Sequence, residues 1–174
     1  TDIYNSRDEI LNDQSIVDRV KETALDTVED LIRGFSADMK KSTEAASADL
    51  IRNLKEIFSI DATFDVQKLY HDPQALQDRL NNIILEELLT KEKVIANLND
   101  LLRGLYLQLI DRYWQDHLEN MEQLREAVRL RQYSQKNPLV EYKIEGSNMF
   151  HDLIEKIREN VIKQIFKIKI GTVV

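Results

Sequence analysis

Apolar residues recur along this chain every three or four positions, and that spacing predicts amphipathic helices from end to end. Ile3, Ile10 and Leu11 read as the end of one such segment, interrupted by Asn12-Asp13-Gln14-Ser15. Ser15 followed by Asp18 resembles a capping box with Asp in the Glu position. Ile16, Val17, Val20, Ala24, Val28, Leu31, Ile32 and Phe35 then line one helix face, with Gly34 as its candidate C-cap. Residues 36–48 are small and polar, so a linker or a weak solvated helix is expected there. Leu50, Ile51, Leu54, Ile57 and Phe58 mark a short helix. Residues 59–71 are the least regular stretch and are expected to be loop. Asp72-Pro73 is a helix start, an N-cap acceptor followed by Pro where its missing N–H costs nothing. Leu76, Leu80, Ile83, Ile84 and Leu88 carry that helix's face, which weakens around residues 90–93 and resumes at Val94 and Ile95.

Two longer rods follow. Leu98, Leu101, Leu102, Leu105, Leu109, Tyr113, Trp114, Leu118, Met121, Leu124 and Val128 extend over about 30 residues, a helix of roughly 45 Å. The polar run at residues 131–137 breaks it, and Asn137-Pro138 repeats the cap-plus-proline start. Tyr142, Met149, Phe150, Leu153, Ile157, Val161, Ile165 and Ile168 carry the second rod. Long amphipathic helices joined by so short a link are expected to fold back as an antiparallel hairpin. Between Ala127 and Val140 the sequence has three basic residues, Arg129, Arg131 and Lys136, and no acidic one. Tyr133 sits among them, claimed by no helix face. Two readings stay open for it: a solvated turn, or a projecting contact tip in which Tyr offers apolar area with a polar handle.

Composition narrows the field. Four Gly and two Pro in 174 residues are too few for the turns of an all-β fold. The absence of Cys excludes disulfides, zinc–thiolate sites and thiol nucleophiles from these residues. No phosphate-binding glycine loop is present. At 32% charged residues, no apolar run approaches the roughly 20 residues that span a bilayer. Charge is uneven: residues 1–97 hold 12 basic and 20 acidic residues, whereas residues 98–174 hold 12 and 11. The acidic first part argues against nucleic-acid binding as a main role.

Catalytic constellations find little support. A di-metal carboxylate bundle needs Glu-x-x-His pairs, but the residues three before His71, His117 and His151 are Lys68, Trp114 and Asn148. His117 reads as a surface or half-buried histidine near the Trp114 indole, and His151 beside Asp152 reads likewise as structural. Glu29-Asp30 and Glu86-Glu87 read as solvated faces. Nothing in the spacing of Ser, His and Asp suggests a nucleophilic triad.

The second rod pair carries a more specific signal. It reads Ile110-Asp111-Arg112-Tyr113-Trp114-Gln115-Asp116-His117-Leu118, then Met121-Glu122-Gln123-Leu124-Arg125, then Leu130-Arg131-Gln132-Tyr133-Ser134-Gln135-Lys136-Asn137-Pro138, then Glu141-Tyr142-Lys143 and Met149-Phe150. These motifs, at these spacings over about 45 residues, resemble the SecA family of bacterial preprotein-translocation ATPases. Ile3 to Leu11 also resembles the end of that family's long scaffold helix, and residues 12 to about 97 match loosely in helical pattern. Ala127 departs from the family's usual Gly, Asn137 from Asp and Ser147 from an aromatic.

The resemblance implies an all-α C-terminal fragment, an elongated helical wing plus a long antiparallel hairpin called the two-helix finger. Residues 1–13 would end the scaffold helix, 14–97 form the helical wing domain, and 98–174 supply the finger and scaffold helices. It implies an ATP-driven translocase whose nucleotide-binding motor domains, with their ATP and Mg, lie outside this chain, leaving the fragment itself non-catalytic and without a cofactor or metal. Implied partners are the SecYEG channel, preproteins and the motor domains in cis, at the cytoplasmic face of the membrane. An anionic lipid surface is a further candidate partner. By motif, Tyr133 would be the polypeptide-contacting tip, flanked by Arg131, Gln132 and Lys136. Trp114, His117, Leu118, Met121, Leu124 and Arg125 would be structural or regulatory, the apolar ones as core, within a module that regulates ATP hydrolysis. The alternative is a free-standing all-α interaction or adaptor module.

Overall fold

The structure, a computed structural model, describes residues 2–131 and 137–168, apart from the side chains of Asp2, Ile3, Tyr4 and Ser6. Among them every regular element is a helix: α1 (Asp2–Asn12), α2 (Ile16–Asp38), α3 (Thr43–Phe58), α4 (Thr63–Leu69), α5 (Pro73–Val94), α6 (Leu98–Leu130) and α7 (Pro138–Lys167). The chain is all-α, as its periodicity predicts. Its contacts divide it into two compact units, residues 14–102 with 161–174, and residues 1–13 with 103–160.

The first of these units is built on α2 and α5. Ser15 caps α2 by accepting from the Asp18 N–H at 3.4 Å, and the Asn99 side chain accepts from the Val17 N–H at 3.0 Å. Two of the helix's orphan donors are thereby satisfied. The helix runs through Gly34 rather than ending there, because buried Phe35 extends the apolar face. Ser42 caps α3, and buried Ala46 draws residues 43–48 into the helix instead of leaving them as linker. Helix α3 ends at Ser59 in the left-handed conformation, φ 57°.

Residues 59–71 are not all loop. The Asp61 carboxylate accepts from the Thr63 N–H at 3.0 Å and from its hydroxyl at 2.6 Å, which starts α4. Only Val66 of that short helix is buried, so no periodicity announced it. Arg79 of α5 donates to Asp65 of α4 at 3.2 Å.

Helix α5 begins as expected, with Asp72 accepting from the Ala75 N–H at 3.1 Å. Its buried ridge is Leu76, Leu80, Ile84, Leu88 and then Lys91. Lys91 is 2% exposed and donates to Glu87 at 2.8 Å. Its ammonium lies 5.7 Å from the centre of the Phe166 ring, and that ring meets Phe58 edge-on at 5.1 Å. Val161, Ile162, Ile165 and Phe166 of α7 are fully buried in this unit. Each such side chain contributes about 1.5–3 kcal/mol through removal from water.

In the other unit, α1 runs antiparallel to α6. Arg7 forms a two-pronged ion pair with Asp111 at 3.0 and 3.2 Å. Arg103 donates to the carbonyls of Asp13 at 2.6 Å and Ile10 at 3.4 Å, satisfying acceptors at the C-terminal end of α1. Within this unit α6 and α7 are antiparallel as well: His117 meets Phe150 with ring centres 6.0 Å apart, and a Cβ added at buried Gly146 would come 2.9 Å from the Met121 methyl.

The buried side of α6 keeps Leu98, Leu102, Leu109, Leu124 and Val128 of the expected face and departs from it at a few positions. Leu102, Tyr106, Leu109, Ile110, His117, Leu124 and Val128 are buried, whereas Leu101 is 48% and Leu118 47% exposed. Expected as core, Leu118 is displaced by His117, which stands seven residues from both Ile110 and Leu124 and so shares their face. Trp114 and Met121 are half-buried at the margin.

Candidate functional site

Several exposed large apolar side chains lie where α6 ends and α7 begins. Asn137 caps α7 by accepting from the Leu139 N–H at 3.1 Å, and Pro138 fills the first helical position. Leu130 is 75% exposed, Leu139 61%, Ile144 57% and Val140 49%. Beside them, Arg125, Val128, Arg129, Pro138, Leu139 and Tyr142 line an open groove of about 620 Å³. Leu130 ends α6, and Leu139, Val140 and Ile144 fall within the first two turns of α7; exposed apolar surface rimmed by polar residues is the kind that marks contact sites.

Three arginines edge or border this region, and they are held differently. Arg125 pairs with Glu122 at 2.9 Å and Arg129 with Glu126 at 3.5 Å, each within α6 and each well exposed. Such pairs hold a guanidinium weakly, so it can turn toward an incoming group. Arg131 instead reaches α7, donating to Glu145 and lying 3.9 Å from Glu141. That hydrogen bond and the Glu145 charge raise the Arg131 pKa further, keeping the group ionised.

Gln132, Tyr133 and Lys136, the other residues assigned to the tip, lie outside the described residues. The structure adds Leu139, Tyr142, Glu141 and Glu145 to this end of the unit. Their signal in the sequence was the acid pair four residues apart at the start of α7, opposite an arginine at the end of α6.

Farther along α6, His117 is 8% exposed. Its ring centre lies 5.4 Å from that of Trp114. Tyr113, Asp116, Glu119, Asn120, Met149, Asp152, Leu153 and Lys156 complete a cleft of about 350 Å³ around it. Burial pushes the His117 imidazolium pKa below the usual histidine value, so the ring is neutral at pH 7. It serves as a packing element between two aromatic rings. His151 is exposed. Among the described residues, no cluster of three His, Cys, Asp or Glu is arranged to hold a metal ion, and no helix is long and apolar enough to cross a membrane.

Comparison with known proteins agrees with the motifs. Residues 1–169 match the family described as the SecA Wing and Scaffold domain. The protein translocase subunit SecA of Treponema denticola is 36% identical over 180 residues, covering 98% of this chain and 19% of that protein. The corresponding subunit of Treponema pallidum is 33% identical over 175 residues, covering 97% and 19%. That of Deinococcus deserti is 27% identical over 194 residues, covering 97% and 22%. The chain thus spans about a fifth of the length of the curated relatives it matches.

Proposed function

Because the chain belongs to the SecA wing and scaffold family, we propose that it is the helical wing and scaffold part of a motor that drives preproteins through the SecYEG channel. ATP binding and hydrolysis, with Mg, belong to motor domains beyond these residues, and this part is non-catalytic. It works at the cytoplasmic face of the membrane. The end of α6 and the start of α7 meet the moving polypeptide, with Tyr133 between them as the contact residue.

The observation that carries this reading is the open apolar groove edged by Arg125 and Arg129, beside exposed Leu130 and Ile144. A polypeptide in transit presents every kind of side chain. An open apolar surface with movable cations and the Tyr142 side chain in its lining grips such a chain without demanding a sequence. The cations also suit channel loops or anionic lipid head groups. Two helices packed side by side transmit force better than a loop. Through its contacts with the motor domains the same module regulates ATP hydrolysis.

The test is Tyr133→Ala in a full-length translocase subunit carrying this sequence. Translocation of an unfolded preprotein into inverted membrane vesicles falls more than ATP binding does. Normal translocation by the variant removes Tyr133 from the role.

A further inference from the structure

Arg131 is the described arginine of this region that crosses from α6 to α7. It follows the last residue of α6, and its guanidinium donates to Glu145 while lying 3.9 Å from Glu141. Glu141 and Glu145 are one turn apart on the same face of α7, where two like charges repel. A guanidinium whose Nη1 approaches both carboxylates converts that repulsion into two attractions. The cation also stands at the negative end of α6, and Glu141 stands in the first turn of α7, near its positive end. All these effects favour one arrangement: the end of one helix fixed against the start of the other. The Glu141 side chain is only 20% exposed, which limits screening by water.

We propose that Arg131, Glu141 and Glu145 form a charge clamp that fixes the spacing between the end of α6 and the start of α7. Arg131 is therefore a positioning residue for polypeptide contact, not itself a contact. This inference rests on the contact role proposed above for this end of the unit. Arg125 and Arg129, paired only within α6, remain the cations that face a partner.

Two measurements on Arg131→Gln, Glu145→Gln and the charge swap Arg131→Glu with Glu145→Arg test the clamp. In the first, spin labels replace exposed Leu130 and Leu139, and the distance distribution between them is read in the chain. It broadens in each single variant and narrows again in the swap, which still leaves one cation between two acids. In the second, translocation of an unfolded preprotein is measured in a full-length subunit. Each single variant slows it by about two- to fivefold, and the swap recovers most of the loss. If Arg131→Gln slows translocation while Glu145→Gln does not, and the swap fails to rescue, Arg131 touches the polypeptide directly and the clamp is wrong. Unchanged distance distributions in all variants also overturn it. The distance measurement does not depend on Tyr133, so failure of the contact reading and failure of the clamp are separately visible.

Discussion

Removing Glu87 should harm the fold more than removing its partner Lys91. Lys91 is 2% exposed on the buried ridge of α5, and Glu87, its partner at 2.8 Å, is 30% exposed. At an effective dielectric of about 20, unit charges at that separation attract by about 6 kcal/mol. Desolvating the ammonium costs several kcal/mol, which largely offsets the attraction. Glu87→Gln deletes most of the attraction and leaves the desolvation in place, with only the Phe166 ring, worth about 1 kcal/mol, still facing the cation. The expected loss is about 2–3 kcal/mol, reduced from the fully buried case because Glu87 is partly solvated. Lys91→Met keeps the stem and the helix propensity, removes the buried charge, and leaves Glu87 free to hydrate. Its expected effect lies between neutrality and a gain of about 1 kcal/mol. Urea titrations followed by far-ultraviolet circular dichroism, at constant m-value, measure both. If Lys91→Met costs as much as Glu87→Gln or more, the ion pair is net stabilising and the reasoning is refuted.

His117 and the glycines give sharper local tests. The folded pKa of His117 is depressed while the unfolded ring titrates near 6.5, so the unfolded chain binds more protons and stability falls as pH drops below about 6.5. His117→Phe flattens that dependence, followed through Trp114 fluorescence, and an unaltered pH profile in the variant contradicts it. Gly104→Ala meets nothing within 4 Å and should gain about 0.5–1 kcal/mol from helix propensity. Gly146→Ala loses that gain to the Met121 methyl at 2.9 Å, so equal gains in thermal melts contradict the close packing of α6 on α7.

The helix boundaries that were legible in the sequence are those with a cap and a sustained apolar face. Ser15, Asp72 and Asn137 all cap the helices their spacing announced. Helix α4 was not legible, because seven residues with one buried apolar position carry no period and its start depends on an Asp61–Thr63 turn. The fading pattern near residue 91 had a physical cause: the buried ridge of α5 continues there, but through a lysine, which hydropathy reads as surface. His117 lies beside Trp114 as expected, but it is more deeply buried than a surface or half-buried position. A neutral imidazole between two aromatic rings fills a core position, and its neighbour Leu118 faces outward although it scores as more apolar. Of the candidate contact region, the motif pointed to the segment around Tyr133. The groove was hidden because Arg125, Val128, Pro138 and Tyr142 come together only when the helices fold back.

The most direct test of the account is photo-crosslinking from position 133 in a full-length translocase subunit carrying this sequence. Benzoylphenylalanine replaces Tyr133, and a second protein carries it at exposed Glu155 of α7 as a control. A preprotein is arrested midway through membrane vesicles and the sample is irradiated. Adducts to the arrested preprotein form from position 133 and depend on ATP, with few from position 155. Adducts from both positions alike, or none to the preprotein from position 133, contradict the claim that this end of the helix pair contacts the chain in transit.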